Sequence, residues 1–161
     1  MRSLARGAAV LFVFGLSIAA GQAQSSSQMT GHVIVPPGDM KWGPAPPGLP
    51  PGAQAVVLSG DPSKPEPFTL TVKFPDGYTV PAHWHSMTEN VVIVSGNMML
   101  GMGEKVDASA MKTVGPGGYV MLPKEMRHYV KAKGAATIVI YGTGPFDITY
   151  VDPKDDPRLK K

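Results

Sequence analysis

From Ala53 onwards, short apolar runs of strand length alternate with residues that favour turns. In several runs, apolar and polar positions alternate with the period of two that is typical of a half-buried strand. The turn signals are Asp61-Pro62, Pro75-Asp76-Gly77, Ser95-Gly96-Asn97 and Gly115-Pro116-Gly117-Gly118. The runs are AQAVVLSG, FTLTVKF, YTVPAHWH, NVVIVSG, NMMLGMG, GYVMLP, RHYVKAKG, ATIVIYG and FDITYV. Nine short strands at regular spacing predict an all-β fold, as a sandwich, a barrel or a jelly roll.

Two segments depart from this pattern. Residues 104–114, EKVDASAMKTV, have helical character, with Asp107 as a candidate N-cap. Upstream, HVIV at residues 32–35 predicts one further short strand. The proline-rich lead that follows, residues 36–53, is excluded from helix and central strand because proline lacks an amide donor and fixes φ. Trp42 in this lead is expected to pack against the domain, since a loose linker gains nothing from an exposed indole.

The first 23 residues have the layout of a secretory signal. Arg2 and Arg6 precede an apolar run over residues 8–20, and Gly21-Gln22-Ala23 offers a small-x-small cleavage site. A membrane anchor is the alternative, but a helix over this run rises only about 20 Å, short of a hydrocarbon core of roughly 30 Å. We therefore expect a cleaved signal, a periplasmic or secreted location and no membrane association afterwards.

Composition narrows the class of protein. The chain has 161 residues, 43% of them hydrophobic and 17% charged, which is typical of one compact domain. Without residues 1–23, 13 basic and 12 acidic residues remain, so the formal charge of +3 falls to +1. No basic stripe interleaves with aromatic residues, so we expect no nucleic-acid partner. The sequence has no cysteine, which excludes disulfides and leaves packing and a bound metal as sources of stability.

The candidate chemistry lies in GYTVPAHWHSMTENVVIVSG, residues 77–96. On a strand His83 and His85 share one face, and Trp84 turns to the other. Glu89 has the same parity and reaches the same region if the strand continues or bends. His128 begins a later strand and supplies a fourth ligand if the strands pair. A lone histidine is more often an ordinary core or surface residue. However, a polar side chain buried among apolar residues without a hydrogen-bond partner costs about 1–3 kcal/mol, and coordination of a metal by these residues removes that penalty.

This stretch resembles the first motif of the cupin superfamily, G-x5-H-x-H-x3-E-x6-G. Every fixed position is met: Gly77, His83, His85, Glu89 and Gly96. The second cupin motif, G-x5-P-x-G-x2-H-x3-N, is met in part, by Gly117, Pro123 and His128. Glu125 stands where that motif has a glycine and Ala132 where it has an asparagine. The glycine matters for a turn, so the turn at Glu125 is expected to differ, while the spacing of the histidine is kept.

The resemblance covers about residues 53–150 and implies a double-stranded β-helix, the jelly-roll cupin barrel, with a metal inside it. It implies one divalent metal held by His83, His85, Glu89 and His128. The expected organisation is a signal peptide at 1–23, a polar and proline-rich segment at 24–52, a cupin barrel at 53–151 and a charged tail at 152–161.

Function and metal identity stay open at this point. Three imidazoles and a carboxylate suit Mn, Fe, Co, Ni, Cu and Zn alike. One hypothesis is an exported metalloenzyme, an oxygenase, isomerase or lyase, that acts on a small oxygen-bearing molecule by Lewis-acid or dioxygen chemistry. The other is a metal-dependent module that binds or senses a small ligand without turnover.

Other residues enter these hypotheses as secondary candidates. Three tyrosines are candidate proton donors: Tyr119, Tyr129 and Tyr141. Three methionines are expected to line the pocket, with Cu(I) binding as the alternative: Met98, Met99 and Met102. His32 is expected at the surface. Exposed apolar strands would permit a homodimer.

Overall fold

The computed structural model describes residues 31–160. The expected signal peptide and the start of the polar lead lie outside these residues. The described part contains nine strands and four 3-10 helices. The strands are β1 (Gly43–Pro44), β2 (Gln54–Ser59), β3 (Pro67–Phe74), β4 (Thr79–Trp84), β5 (Glu89–Met102), β6 (Lys112–Val114), β7 (Tyr119–Leu122), β8 (His128–Thr143) and β9 (Thr149–Tyr150). The 3-10 helices are Pro37–Asp39, Ala108–Ala110, Pro153–Asp155 and Pro157–Leu159.

All strand pairs are antiparallel and form one curled sheet. Its main path is β1-β2-β3-β8-β4-β9, and β5 pairs with β6, β7 and β8. The long strands β5 and β8 pair from Asn90↔Tyr141 to Met102↔His128. Near its start β8 also pairs with β4, and over Ala136–Thr143 it pairs with β3. The predicted all-β jelly roll is confirmed, because the two long strands run through both halves of the roll.

The turn predicted at Ser95-Gly96-Asn97 is an irregularity of pairing inside a long strand, and two pairs of predicted strands are each one continuous strand. NVVIVSG and NMMLGMG belong to the single strand β5, whose register shifts between Ile93 and Asn97. Gly96 has φ +71°, and a Cβ there would lie 2.1 Å from the carbonyl oxygen of Ala135. RHYVKAKG and ATIVIYG likewise form the one strand β8. A bulge absorbs the extra residue without ending the ladder, which is why a turn signal appears where the strand continues.

Two further expectations need correction. Residues 32–35 form no strand, and Ile34 is 77% exposed. The helical segment shortens to the 3-10 helix Ala108–Ala110, although its cap is where the sequence predicts it: Asp107 accepts a hydrogen bond from the amide of Ser109 at 2.9 Å. Residues 32–35 have no pairing partner, and the end of the predicted helical segment, Lys112–Val114, instead forms β6 and pairs with β5.

The proline-rich lead packs on the domain as expected. The ammonium nitrogen of Lys73 lies 3.9 Å from the centroid of the Trp42 ring, and β1 pairs with β2. The Tyr78 hydroxyl donates to the carbonyl of Pro50, and the Tyr150 hydroxyl donates to that of Gly48 at 2.8 Å. These contacts hold residues 46–51 across one end of the roll.

The core is the inward face of the roll. On β3 the alternate residues Phe68, Leu70, Val72 and Phe74 are buried, whereas Lys73 faces outward. Each fully buried side chain of this size contributes about 1.5–3 kcal/mol relative to exposure. Four of the five buried polar or charged residues are three histidines and a glutamate, which places the unusual chemistry inside the apolar roll. Between residues 31 and 160 no helix is both long and apolar enough to cross a membrane.

Candidate metal centre

The three histidines of the two motifs meet inside the roll. His83 is directly paired with His128 across the β4–β8 ladder, and His85 follows the end of β4. Their ring centroids are 4.1 Å apart for His83 and His128, 5.1 Å for His83 and His85, and 5.4 Å for His85 and His128. One ring nitrogen from each of the three lies within 4.8 Å of the others. Three imidazoles therefore converge on one point, as strand parity predicts.

Trp84 points to the opposite side of β4, also as predicted. It is half-buried, with the Arg127 guanidinium carbon 5.8 Å from its ring centroid, so it is not a full core residue.

Glu89, the first residue of β5, completes the group from the side of His85 and His128. Its Oε2 lies 3.4 Å from the Nε2 of His85 and 3.5 Å from the Nε2 of His128. The carboxylate is 6% exposed, and the three imidazoles are 2–5% exposed. All four residues are thus shielded from bulk water.

The other ring nitrogen of each imidazole is held by the backbone. The Nδ1 atoms of His83, His85 and His128 lie 2.6, 2.5 and 2.9 Å from the carbonyl oxygens of Pro81, Asp147 and Met126. A carbonyl only accepts, so each Nδ1 carries the proton and donates it. In the neutral rings the lone pairs are therefore on Nε2. Outer hydrogen bonds of this kind fix the tautomer and orientation of histidines that bind metals.

Burial and mutual proximity set the protonation of the group. Burial, reinforced by the neighbouring His128 and His85, lowers the pKa of His83 to about 3, so this ring is neutral at ordinary pH. Burial also opposes charge on His85, but its contacts with Glu89 outweigh this and raise its pKa. Burial disfavours charge on Glu89, yet the facing His128 and His85 hold the pKa of that carboxyl below its ordinary value.

The donor set fits a divalent transition metal. The Nε2 of His85 is buried and has no hydrogen-bond partner. With Nδ1 protonated, this nitrogen and the Glu89 carboxylate are two acceptors facing each other at 3.4 Å. Such a contact is repulsive unless a proton or a cation lies between them. Three imidazole nitrogens and one carboxylate suit Mn, Fe, Co, Ni, Cu or Zn. The roles of His83, His85, Glu89 and His128 as ligands remain a prediction at this stage.

His83, His85, Glu89 and His128, called the imidazole group below, line part of a cavity of about 120 Å³, and this part is called the imidazole end. Most other lining residues are aliphatic or aromatic and come from several strands of the curled sheet and from the covering segments. Met98 lines the cavity as expected, whereas Met102 is exposed and Met99 is not part of the wall. The methionine cluster therefore does not converge on a second soft-metal site.

None of the three candidate tyrosines reaches this cavity. The Tyr129 hydroxyl is occupied by the backbone of Asp107, from whose amide it accepts at 2.9 Å. Tyr119 and Tyr141 are exposed on the outer face, and the Tyr119 hydroxyl donates to Asn90. Their assignment as proton donors at the site is wrong, because they occupy outward positions or serve a structural contact.

The altered second motif still positions the site. Glu125 has φ +62°, the left-handed conformation that glycine adopts without strain. The residue therefore differs from the motif, but the backbone keeps a conformation that suits the glycine of the motif. Its amide donates to the carbonyl of His85 at 2.8 Å, and its side chain is exposed rather than at the cavity. The strained turn therefore ties the end of β4 to the start of β8, which are the two segments that carry the histidines.

Sequence reasoning missed the segments that cover the site. Asp147 accepts from His85 through its carbonyl and from the amide of Ser86 through its carboxylate at 2.8 Å. Leu49 from the proline-rich lead and Ile148 also line the cavity. No motif marks these residues. Leu49 and Ile148 are apolar residues near turn-forming prolines and glycines, and this is the signal from which a covering segment could have been predicted.

Comparisons with known proteins place the chain in a family. Residues 25–149 match the family described as Domain of unknown function (DUF4437). The chain belongs to the DUF4437 family. Among curated proteins, none matches this DUF4437 chain.

Similar solved structures include proteins described as cupins, and the fold that the resemblance to cupins implies is confirmed. The polyketide cyclase RemF from Streptomyces resistomycificus is 16% identical, with 79% of the DUF4437 chain and 90% of RemF covered, at a TM-score of 0.60. A candidate acetylacetone dioxygenase from Methylibium petroleiphilum is 20% identical, covering 79% and 85%, at 0.60. An RmlC-like cupin from Shewanella frigidimarina is 13% identical, covering 71% and 91%, at 0.55. At these identities the likeness establishes the fold alone.

Proposed function

We propose that this chain is an exported cupin that binds one divalent transition metal and acts on a small oxygen-bearing molecule. The supporting observation is the orientation of the imidazoles: all three donate through Nδ1 to backbone carbonyls, one nitrogen from each lies within 4.8 Å of the others, and the Nε2 atoms of His85 and His128 face Glu89. The named activities of fold relatives, a polyketide cyclase and a candidate acetylacetone dioxygenase, agree with small oxygen-bearing substrates. Because the fold hosts many chemistries, the proposal rests on the site.

The residues have distinct roles in this proposal. His83, His85 and His128 would hold the ion through Nε2, with Glu89 as the fourth ligand. A metal bound there would supply Lewis acidity or an entry point for dioxygen. The backbone carbonyls keep the imidazoles in the binding tautomer before any ligand arrives. The apolar walls exclude water from the bound molecule, which strengthens every polar contact at the imidazole end.

Metal content is the first test. Elemental analysis of the purified protein, prepared once in air and once anaerobically, is expected to give about one divalent ion per chain. The absence of any ion from both preparations, together with no uptake of Zn(II), Mn(II) or Fe(II) added afterwards, would contradict the proposal.

A binding or sensing module without turnover is the second candidate, and one observation favours it. Apart from the imidazole group, the cavity wall has one titratable residue, Asp147, so the described residues supply few groups for proton transfer. One experiment distinguishes an enzyme from a binding module: compounds released from the denatured protein are identified and then added in excess to the metal-loaded protein. Conversion of many equivalents per chain indicates an enzyme, and unchanged recovery indicates a binding module.

Export is a separate element of the proposal and rests on residues 1–23, which lie outside the described residues. In a cell that recognises the signal, mature protein is expected in the periplasm or medium with an N-terminus near Gln24. Edman sequencing of that fraction tests it. Full-length protein found only in the cytoplasm would contradict export and leave the metal site unaffected.

A further inference from the structure

The cavity that ends at the imidazole group is small. Its volume is about 120 Å³. An apolar cavity of about 150 Å³ holds benzene in another protein, so this one suits an apolar body of about six non-hydrogen atoms. Pockets for larger drug-sized ligands have about 300–1,000 Å³. Sugars, nucleotides and polycyclic compounds are therefore too large to be enclosed.

The walls select against charge as well as size. No lysine or arginine lines the cavity, and the two acidic residues in its lining are Glu89, in the imidazole group, and Asp147, whose carboxylate already accepts from an amide. Val72, Ile93 and Ile138 are representative of the remaining wall, which is mostly aliphatic with a few aromatic residues. A charged group placed away from the imidazole end would be desolvated without a partner, at a cost of several kcal/mol.

Part of the cavity wall is formed by a segment that is itself anchored. Leu49 belongs to the proline-rich lead, which the Tyr78 and Tyr150 hydroxyls fix through the carbonyls of Pro50 and Gly48. A lead tied at two points does not lengthen the cavity without breaking hydrogen bonds, each worth about 1 kcal/mol. Residues outside both cupin motifs therefore form part of the wall that limits the size of the ligand.

We propose that this cavity binds a compound with an apolar body of about six non-hydrogen atoms, one oxygen-bearing group held at the imidazole end, and no charge elsewhere. The oxygen end of this inference rests on the proposed metal function. The apolar body rests on the cavity alone, so the two parts fail separately. Short-chain ketones, monocarboxylates and simple monocyclic alcohols are members of this class.

The apolar part is tested on metal-free protein with benzene, because benzene carries no group that binds a metal. Binding measured by NMR titration is expected to be saturable, and Val120→Phe, which fills the cavity from β7, is expected to weaken it by about tenfold or more. Met121→Phe is the matched control, since Met121 is the next residue and is exposed. If Val120→Phe does not fold, Val120→Leu makes the same test with a smaller loss. Absence of saturable benzene binding, or equal effects of the Val120 and Met121 variants, would overturn the inference.

The charge and oxygen parts are tested on zinc-loaded protein with valerate and 4-aminobutyrate. The two compounds have equal numbers of non-hydrogen atoms and differ in a methyl or an ammonium group at the end far from the carboxylate. Valerate is expected to bind about tenfold or more tightly than 4-aminobutyrate, and only in the presence of zinc. Equal or reversed affinities would overturn the inference even if zinc is bound and the proposed function stands. Benzene binding without zinc uptake would instead overturn the oxygen end together with the proposed function, while the apolar cavity remains.

Discussion

Replacement of His85 by alanine is expected to remove the stabilisation that metal gives to the fold. The Nε2 of His85 is buried without a hydrogen-bond partner and faces Glu89 at 3.4 Å. A cation bound there interacts with the folded chain and has no preformed site in the unfolded one, so its binding free energy adds to folding. Without the imidazole, one ligand is lost and the remaining carboxylate faces an enlarged gap.

The size of this effect follows from mass action. At a free metal concentration of about 100 times Kd, binding stabilises the folded state by about 2.7 kcal/mol. In a domain of this size, 1 kcal/mol shifts Tm by roughly 3–5 °C, so saturating metal is expected to raise Tm by about 10 °C. His85→Ala is expected to reduce that increment to about 2 °C or less. Its metal-free Tm is also expected to fall, because the buried imidazole donates to the Asp147 carbonyl and stacks on Phe146, so the zinc-dependent increment is compared within each variant.

Differential scanning calorimetry with and without Zn(II) measures both increments. His32→Ala is the matched control, because His32 is an exposed histidine outside the cluster and its removal is expected to leave the increment unchanged. An equal zinc-dependent rise in Tm for the wild type and His85→Ala would refute the assignment of His85 as a ligand. A loss of the rise in His32→Ala as well would refute the location of the site.

Three further predictions address protonation, strain and the covering lead. Zn(II) affinity is expected to fall as pH drops through about 6.5, because protons compete with the metal for the imidazoles. His85 is expected to be protonated first, since its pKa is raised. A Zn(II) affinity that stays constant from about pH 8 to 5 would exclude histidine donors. Glu125→Gly is expected to raise the free energy of unfolding in urea by about 0.5–1 kcal/mol, because relief of left-handed strain exceeds the entropic cost of glycine, whereas Lys124→Gly, as the neighbouring control, gives no such gain. Tyr78→Phe removes the hydrogen bond to the Pro50 carbonyl and is expected to lower the free energy of unfolding by about 1 kcal/mol. It is also expected to remove one tyrosine from the absorbance titration at high pH, where burial raises the pKa of Tyr78 to about 12, and an unchanged amplitude there would show that Tyr78 is not the buried group.

Strand parity together with strand pairing was sufficient to predict that the histidines meet. Glu89 lies in the predicted place, but strand parity is not the reason. His83 and His85 share a face because β4 is extended up to Trp84, and His128 joins them through direct pairing with His83. Between His85 and Glu89 the chain bends, so alternation no longer decides where a side chain points. The pairing of Glu89 with Leu122 at the start of β5 places the carboxylate inside the roll.

The features that the sequence did not predict depend on contacts between distant residues. Gly96 looks like a turn locally, and only the close approach of Ala135 from β8 shows that it is a bulge in a continuous strand. HVIV has strand propensity, but without a pairing partner it stays exposed. The part of the cavity wall formed by Leu49 is likewise held in place by hydrogen bonds from the hydroxyls of Tyr78 and Tyr150, which lie far away in sequence. Local patterns therefore identify strands and ligands, while closure of the site is set by tertiary contacts.

The central claim is that His83, His85, Glu89 and His128 bind one ion between them. Anomalous diffraction from crystals of the Zn(II)-loaded protein, collected on both sides of the zinc absorption edge, tests it most directly. We predict one strong anomalous peak per chain at about 2.0–2.2 Å from the Nε2 atoms of the three imidazoles and from an oxygen of the carboxylate. A fully loaded crystal whose peak lies away from these nitrogens would contradict the account.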